Sequence, residues 1–186
     1  MGSEGAGKPA PERKWMNKKE MAEAVMSSAR GDYETPPELV SDLAQVFTWD
    51  LDVCADGPNV CQNYFDVDAD GLAQEWHGLC WMNPPYGRRR HIDWWLEKAC
   101  GESLAGRAST VALIPARTST EWFFEWVVGK AQMIVFIRGR LKYLNPETGA
   151  RHPAPFPSAF AVYDKRQVFN WREQLPKLCA YGWRAR

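Results

Sequence analysis

The chain has 186 residues, 23 basic and 23 acidic side chains, 45% hydrophobic residues and ten tryptophans, which suits one globular domain with a sizeable core. Zero net charge gives no overall pull on nucleic acid, so any DNA-binding surface has to be a local patch. Five dispersed cysteines with no Cys-x-x-Cys pair and no zinc-type spacing read as reduced core thiols rather than metal ligands, and no stretch nears the roughly 18 apolar residues of a membrane span.

Taken in order, residues 1–13 are too poor in apolar surface to order themselves, so a single domain is expected over 14–186. Gly2 to Lys8 fits the start of a phosphate-binding loop, but Pro9 stands where a magnesium-binding hydroxyl belongs and no strand precedes it. Asn17 and Glu20 form a capping box that predicts a helix over 18–30, closed by Gly31. Thr35 as cap, Pro36 in the first turn and Glu38 after it predict a second helix running to about Phe47. Residues 49–55 read as a buried strand ending in the Asp56-Gly57-Pro58 turn. Asp52 on that strand suits a core carboxylate bonded to backbone or a ligand-facing one equally well. Asp66, Asp68 and Asp70 have calcium-loop spacing, but the closing glutamate is absent.

Residues 79–82 are an apolar run that delivers the corner Asn83-Pro84-Pro85-Tyr86. Asn83 precedes a proline and is pushed out of the α region. The two prolines fix successive φ angles and carry no N–H. The corner therefore offers the Asn83 amide oxygen and the Pro84 carbonyl as acceptors beside an aromatic ring, which suits a planar molecule bearing an NH2 group. Gly87 then releases the chain into Arg88, Arg89 and Arg90. A helix is expected over 91–104, with Ile92, Trp95, Leu96 and Ala99 on one face. A fully apolar strand is expected over 109–115, and residues 117–120 cap an aromatic helix over 121–128. Alternating strands and helices predict a doubly wound α/β sheet. Residues 131–144 and 157–163 read as two strands around a turn at 145–149, and residues 165–186 as a helix broken at Pro176.

An Asn-Pro-Pro-Tyr corner at a strand end resembles the catalytic motif of amino-methyltransferases that use S-adenosylmethionine. More narrowly, residues 32–164 resemble the phage-type DNA N6-adenine methyltransferase family. The resemblance is carried by Asp32-x-x-Thr35-Pro36, Leu51 to Ala55, Asp70-Gly71-Leu72, Trp76, Asn83 to Gly87, Pro115-x-Arg117-Thr118, Gly139-Arg140-Leu141 and Ala154 to Ser158. It implies a Rossmann-like methyltransferase fold: a mostly parallel sheet ending in an antiparallel hairpin, with helices on both faces. It also implies S-adenosylmethionine as cofactor and catalysis by Asn83, Pro84, Pro85 and Tyr86. Thr35 and Pro36 would cradle the methionine end of the cofactor. Asp52, Cys54 and Ala55 would stand at the end of the first strand, without the family's Gly-x-Gly, and Asp70 would accept the cofactor adenine's amine.

The implied partner is DNA, in the cytoplasm of a bacterial host if the chain is of phage origin. The N6 lone pair is delocalised into the ring, so acceptors at Asn83 and Pro84 would hold that nitrogen toward a pyramidal, more nucleophilic state. The atom is buried in duplex DNA, so the base has to be flipped out. Tyr86 would stack on one face and Phe156 on the other. Arg88, Arg89, Arg90 and Arg140 suit phosphates. The same motif serves an RNA base or a protein glutamine, and a non-catalytic DNA-binding module is a third class. The basic residues Arg138, Arg140, Lys142 and Arg151 favour nucleic acid.

Overall fold

The computed structural model describes residues 34–86, 92–144, 150–167, 169–170, 173–174, 177 and 182–184. The N-terminal segment 1–13, the helix expected over 18–30 and the Arg88, Arg89 and Arg90 loop lie outside the described residues. In chain order the elements are α1 (Pro37–Ala44), β1 (Leu51–Asp52), β2 (Gly78–Met82), α2 (Ile92–Leu104), β3 (Ala108–Pro115), a π-helix (Phe123–Val128), β4 (Met133–Ile137), β5 (Lys142–Leu144), β6 (Arg151–Pro153), β7 (Ser158–Tyr163) and β8 (Gly182–Arg184). Mixed α/β architecture is thereby established.

Six strands form one sheet in the order β1-β2-β3-β7-β4-β8, and β5 and β6 form a separate two-stranded hairpin. β1, β2 and β3 pair in parallel. Parallel neighbours need a crossover connection, and α2 supplies it between β2 and β3. β7 then runs antiparallel between β3 and β4, and β8 antiparallel along the far side of β4.

Side chains on a strand alternate between faces, and the two cores follow that period. Leu79, Trp81, Val111, Leu113, Phe160 and Val162 share one face with Leu39 and Leu43 of α1. Cys80, Met82, Ala112, Ile114, Ala159 and Ala161 share the other with Leu96 and Ala99 of α2 and Phe123 and Val127 of the π-helix. Helices thus cover both faces. With both faces covered, all eight residues of β3 are buried, which is why Val111 to Pro115 reads as an unbroken apolar run, while the buried Ser109 donates to Asp164 at 2.7 Å.

Several sequence expectations are corrected. The strand expected over 49–55 is reduced to Leu51–Asp52, because the Asp52 carboxylate accepts from the Cys54 N–H at 3.2 Å and turns the chain out of the ladder. α1 stops at Ala44, short of Phe47, and Thr35 does not cap it; the cap position is Pro36, with no side-chain cap bond. The aromatic helix widens into a π-helix closed by a Gly129 N–H to Phe124 carbonyl bond of 3.0 Å.

The long hairpin is broken too. Gly139, at φ +80°, bends the chain between β4 and β5, so only β4 and β7 join the sheet. In the tail, Glu173, Gln174 and Lys177 are helical, but Gly182–Arg184 is a strand rather than helix, because the edge of β4 offers it a ladder.

Candidate active site

The carboxyl ends of adjacent parallel strands are where ligands bind in open α/β sheets. Here β1 and β2 end side by side, with Asp52 in register with Trp81 and the Val53 N–H bonded to the Trp81 carbonyl at 3.1 Å. Both chains leave their strands into one cleft of about 440 Å³, which brings together Thr35, Asp52, Cys54, Ala55, Asp70, Asn83, Pro84 and Pro85. Residues separated by up to 50 positions in sequence thus share one cavity because two short strands lie next to each other. Every charged side chain lining it among the described residues is acidic: Glu34, Asp52, Asp56, Asp66 and Asp70.

Asp70 is set in the cleft by its neighbours. Its backbone is left-handed, at φ 51°, a region that aspartate tolerates better than most side chains. Gly71 follows because nothing larger fits: a Cβ there would lie 2.1 Å from the Val53 carbonyl oxygen. The buried Trp76 donates its indole N–H to the Gly71 carbonyl at 2.8 Å and pins the loop. Asp66 accepts from the Ala69 N–H at 2.9 Å and so closes this loop.

Asp52 is buried, and burial pushes its carboxyl up to about 7 against the smaller opposing effect of the Cys54 N–H. Near neutrality it therefore exchanges between acid and carboxylate. Burial, followed by the neighbouring Asp52, pushes the Cys54 thiol well above its ordinary range, which makes it a poor nucleophile.

Asn83 is held at the cleft by a chain of hydrogen bonds. Its Nδ2 donates to Thr35 Oγ1 at 3.2 Å, and Thr35 Oγ1 also accepts from Trp81 Nε1 at 3.3 Å. The Tyr86 hydroxyl donates to Asn83 Oδ1 and lies 2.9 Å from the Leu113 carbonyl oxygen. Tyr86 is buried beneath the β5–β6 hairpin in a cluster with Tyr143, Ala154 and Phe156. Its ring meets Phe156 edge-on, with centroids 5.5 Å apart at 90°. The two aromatics expected on opposite faces of a base are in contact here, so the structure has no open slot between them.

The sequence model of the DNA N-6-adenine-methyltransferase (Dam) family matches residues 23–175. The chain belongs to the Dam family. Comparison with curated protein sequences gives no match.

The remaining candidates of this Dam-family chain lie around the hairpin. Pro36 lines not the main cleft but a second groove of about 320 Å³ between α1 and the hairpin, with Arg140, Lys142 and Arg151. Arg140 donates to the Ala154 carbonyl at 3.2 Å, and Arg151 pairs with Glu38 of α1. Sequence reasoning did not single out Glu34, Asp56, Phe65, Asp66 or Trp95 as lining the cleft, nor the Leu113 carbonyl as a partner of Tyr86. The sequence places Arg117 only in the cap of the aromatic helix. The guanidinium of that exposed residue lies 5.9 Å from the Phe156 ring centre, within cation–π range. No local signal marks these residues, apart from the cluster of acids between 50 and 70. Among the described residues, no helix is long and apolar enough to cross a membrane.

Proposed function

We propose that this Dam-family chain transfers a methyl group from S-adenosylmethionine to the N6 amine of adenine in DNA, using residues 14–186 as one Rossmann-like methyltransferase domain in a bacterial host's cytoplasm. The observation that carries this reading is the shared cleft: the acceptor corner Asn83-Pro84-Pro85 opens into the same cavity as Asp52, Asp70 and Thr35.

The residues present fit the cofactor. An acid-lined cavity suits a ligand carrying an amine and a sulfonium. Asp70 supplies a carboxylate for an exocyclic amine, Phe65 and Val67 supply apolar surface, and Thr35 supplies a hydroxyl. When bound, S-adenosylmethionine supplies an electrophilic methyl on a sulfonium.

The chain's own contribution is positioning. Oδ1 of Asn83 and the Pro84 carbonyl accept the two hydrogens of the target amine and favour the charge that develops on nitrogen. An amine held in line with the methyl spares the entropy of encounter. Tyr86 keeps Oδ1 aimed into the corner. Arg88, Arg89, Arg90, Arg117 and Arg140 suit the phosphates of the strand from which the adenine is flipped. Base capture requires Phe156 to part from Tyr86, and Arg117 at the Phe156 ring is a cation that phosphate can attract.

Incubation with methyl-labelled cofactor and separate DNA, RNA and protein acceptors tests the reading. Label is expected in DNA, and nucleoside digestion should recover it in N6-methyl-2′-deoxyadenosine. Label in RNA or protein alone would replace this substrate with one of the alternatives.

A further inference from the structure

A carboxamide has nearly the same shape whichever way it is turned. Its hydrogen bonds alone decide whether oxygen or nitrogen faces the reacting amine. In this corner Asn83 turns Nδ2 to Thr35 and Oδ1 to Tyr86. Thr35 accepts a second bond, from the buried Trp81 indole. That indole is clamped by edge contacts with Trp49 and Phe160, at 5.4 and 6.4 Å between ring centres, so its N–H stays on Thr35.

A hydroxyl oxygen has two lone pairs and one proton. With both lone pairs of Thr35 taken, its proton has to be donated, and Thr35 lines the acidic cleft. The same proton has one competing use. Donated to Asn83, it would turn the amide over, and the NH2 of Asn83 would then meet the NH2 of the substrate, donor against donor.

Resting on the methyltransferase reading above, we propose that Thr35 is a positioning residue for Asn83. An acceptor bound in the cleft draws the Thr35 proton, leaves Thr35 only an acceptor toward Asn83, and so holds Oδ1 toward the incoming amine. Filling of the cleft and orientation of the acceptor amide then become one hydrogen-bond chain, from Trp81 through Thr35 and Asn83 to Tyr86.

The test pairs single-turnover methyl transfer, at saturating cofactor, with NMR of the Asn83 side-chain amide, assigned by its loss in Asn83→Ala. Thr35→Val keeps the shape and removes the hydroxyl. It should slow transfer about tenfold, the worth of one hydrogen bond, and Thr35→Ser should recover most of the rate. Adding S-adenosylhomocysteine should shift the Asn83 amide signals in the wild-type chain and in Thr35→Ser, but not in Thr35→Val. The wild-type titration stands even if Thr35→Val fails to fold. Wild-type rate in Thr35→Val, equal loss in Thr35→Ser, or wild-type signals unmoved by S-adenosylhomocysteine would each overturn the proposal. Transfer at the wild-type rate by Asn83→Ala overturns instead the methyltransferase reading of the corner.

Discussion

The Tyr86 hydroxyl donates to Oδ1 of Asn83, the atom proposed to receive the substrate amine, and it has a second acceptor in the Leu113 carbonyl at 2.9 Å. One proton cannot serve both fully, so an arriving amine can take Oδ1 while the hydroxyl turns to Leu113. Tyr86→Phe removes this exchange but keeps the ring. It should cost about 1 kcal/mol of stability and only a few-fold in rate. Tyr86→Ala empties the cluster with Tyr143 and Phe156 and should cost about 3–5 kcal/mol. Urea unfolding of both variants, beside single-turnover transfer, separates the hydroxyl's part from the ring's.

On the proposed mechanism, Asn83→Ala removes an acceptor used as charge develops. The expected loss in kcat is about 10²–10³, with cofactor and DNA affinity little changed. Calorimetric titration and single-turnover rates check the two halves; a loss in affinity without a loss in kcat would make Asn83 a binding residue.

For Asp52 the pH dependence has a definite sign. Its carboxyl titrates at about 7 in the folded chain against an ordinary value of 3.8. Between those values the folded state holds a proton that the unfolded chain has released, so stability falls as pH rises through the window. Below about pH 4 both states are protonated and the stabilisation is fully present. Asp52→Asn should remove this slope, as followed by urea midpoints from pH 4 to 8. If the cationic cofactor lies against Asp52, its binding should release a proton near neutrality and tighten from pH 6 to 8, and titrations in buffers of different ionisation enthalpy read that release directly.

Gly71→Ala would force a Cβ into the Val53 carbonyl. It should destabilise the chain by about 1–3 kcal/mol and loosen cofactor binding by shifting Asp70. Asp70→Ala should weaken cofactor binding by about 1–3 kcal/mol through an unpaired amine while leaving the melting temperature nearly unchanged. Thermal melts with and without S-adenosylhomocysteine distinguish the two variants.

Salt dependence reports on the cations of the hairpin. Arg140→Ala should lower the slope of log affinity for DNA against log salt by about one phosphate contact. Glu38→Gln should raise it by about one, because Arg151 loses its partner on α1 and becomes available to phosphate. Both slopes come from fluorescence anisotropy on one duplex, and a Glu38→Gln slope equal to wild type would leave Arg151 outside the DNA surface.

Local chemistry was enough to locate the acceptor corner, the fully buried β3 and the helix over 92–104. Proline geometry, an unbroken apolar run and helical spacing are short-range properties, written in adjacent residues. The Asp70-Gly71 pair was legible as a motif, but its reason was not, since the Val53 carbonyl that excludes a side chain at Gly71 comes from 18 positions earlier. Thr35 shows the same limit. Its neighbours in sequence made it a helix cap, yet its hydroxyl serves Trp81 and Asn83, 46 and 48 positions away. Whether two donors converge on one oxygen depends on the pairing of β1 with β2 and on how α1 packs across that face. The tail strand β8 likewise exists because β4 presents an unpaired edge, and Tyr86 meets Phe156 because the hairpin folds back over the corner. Those relations are distances between elements, and only the folded chain sets them.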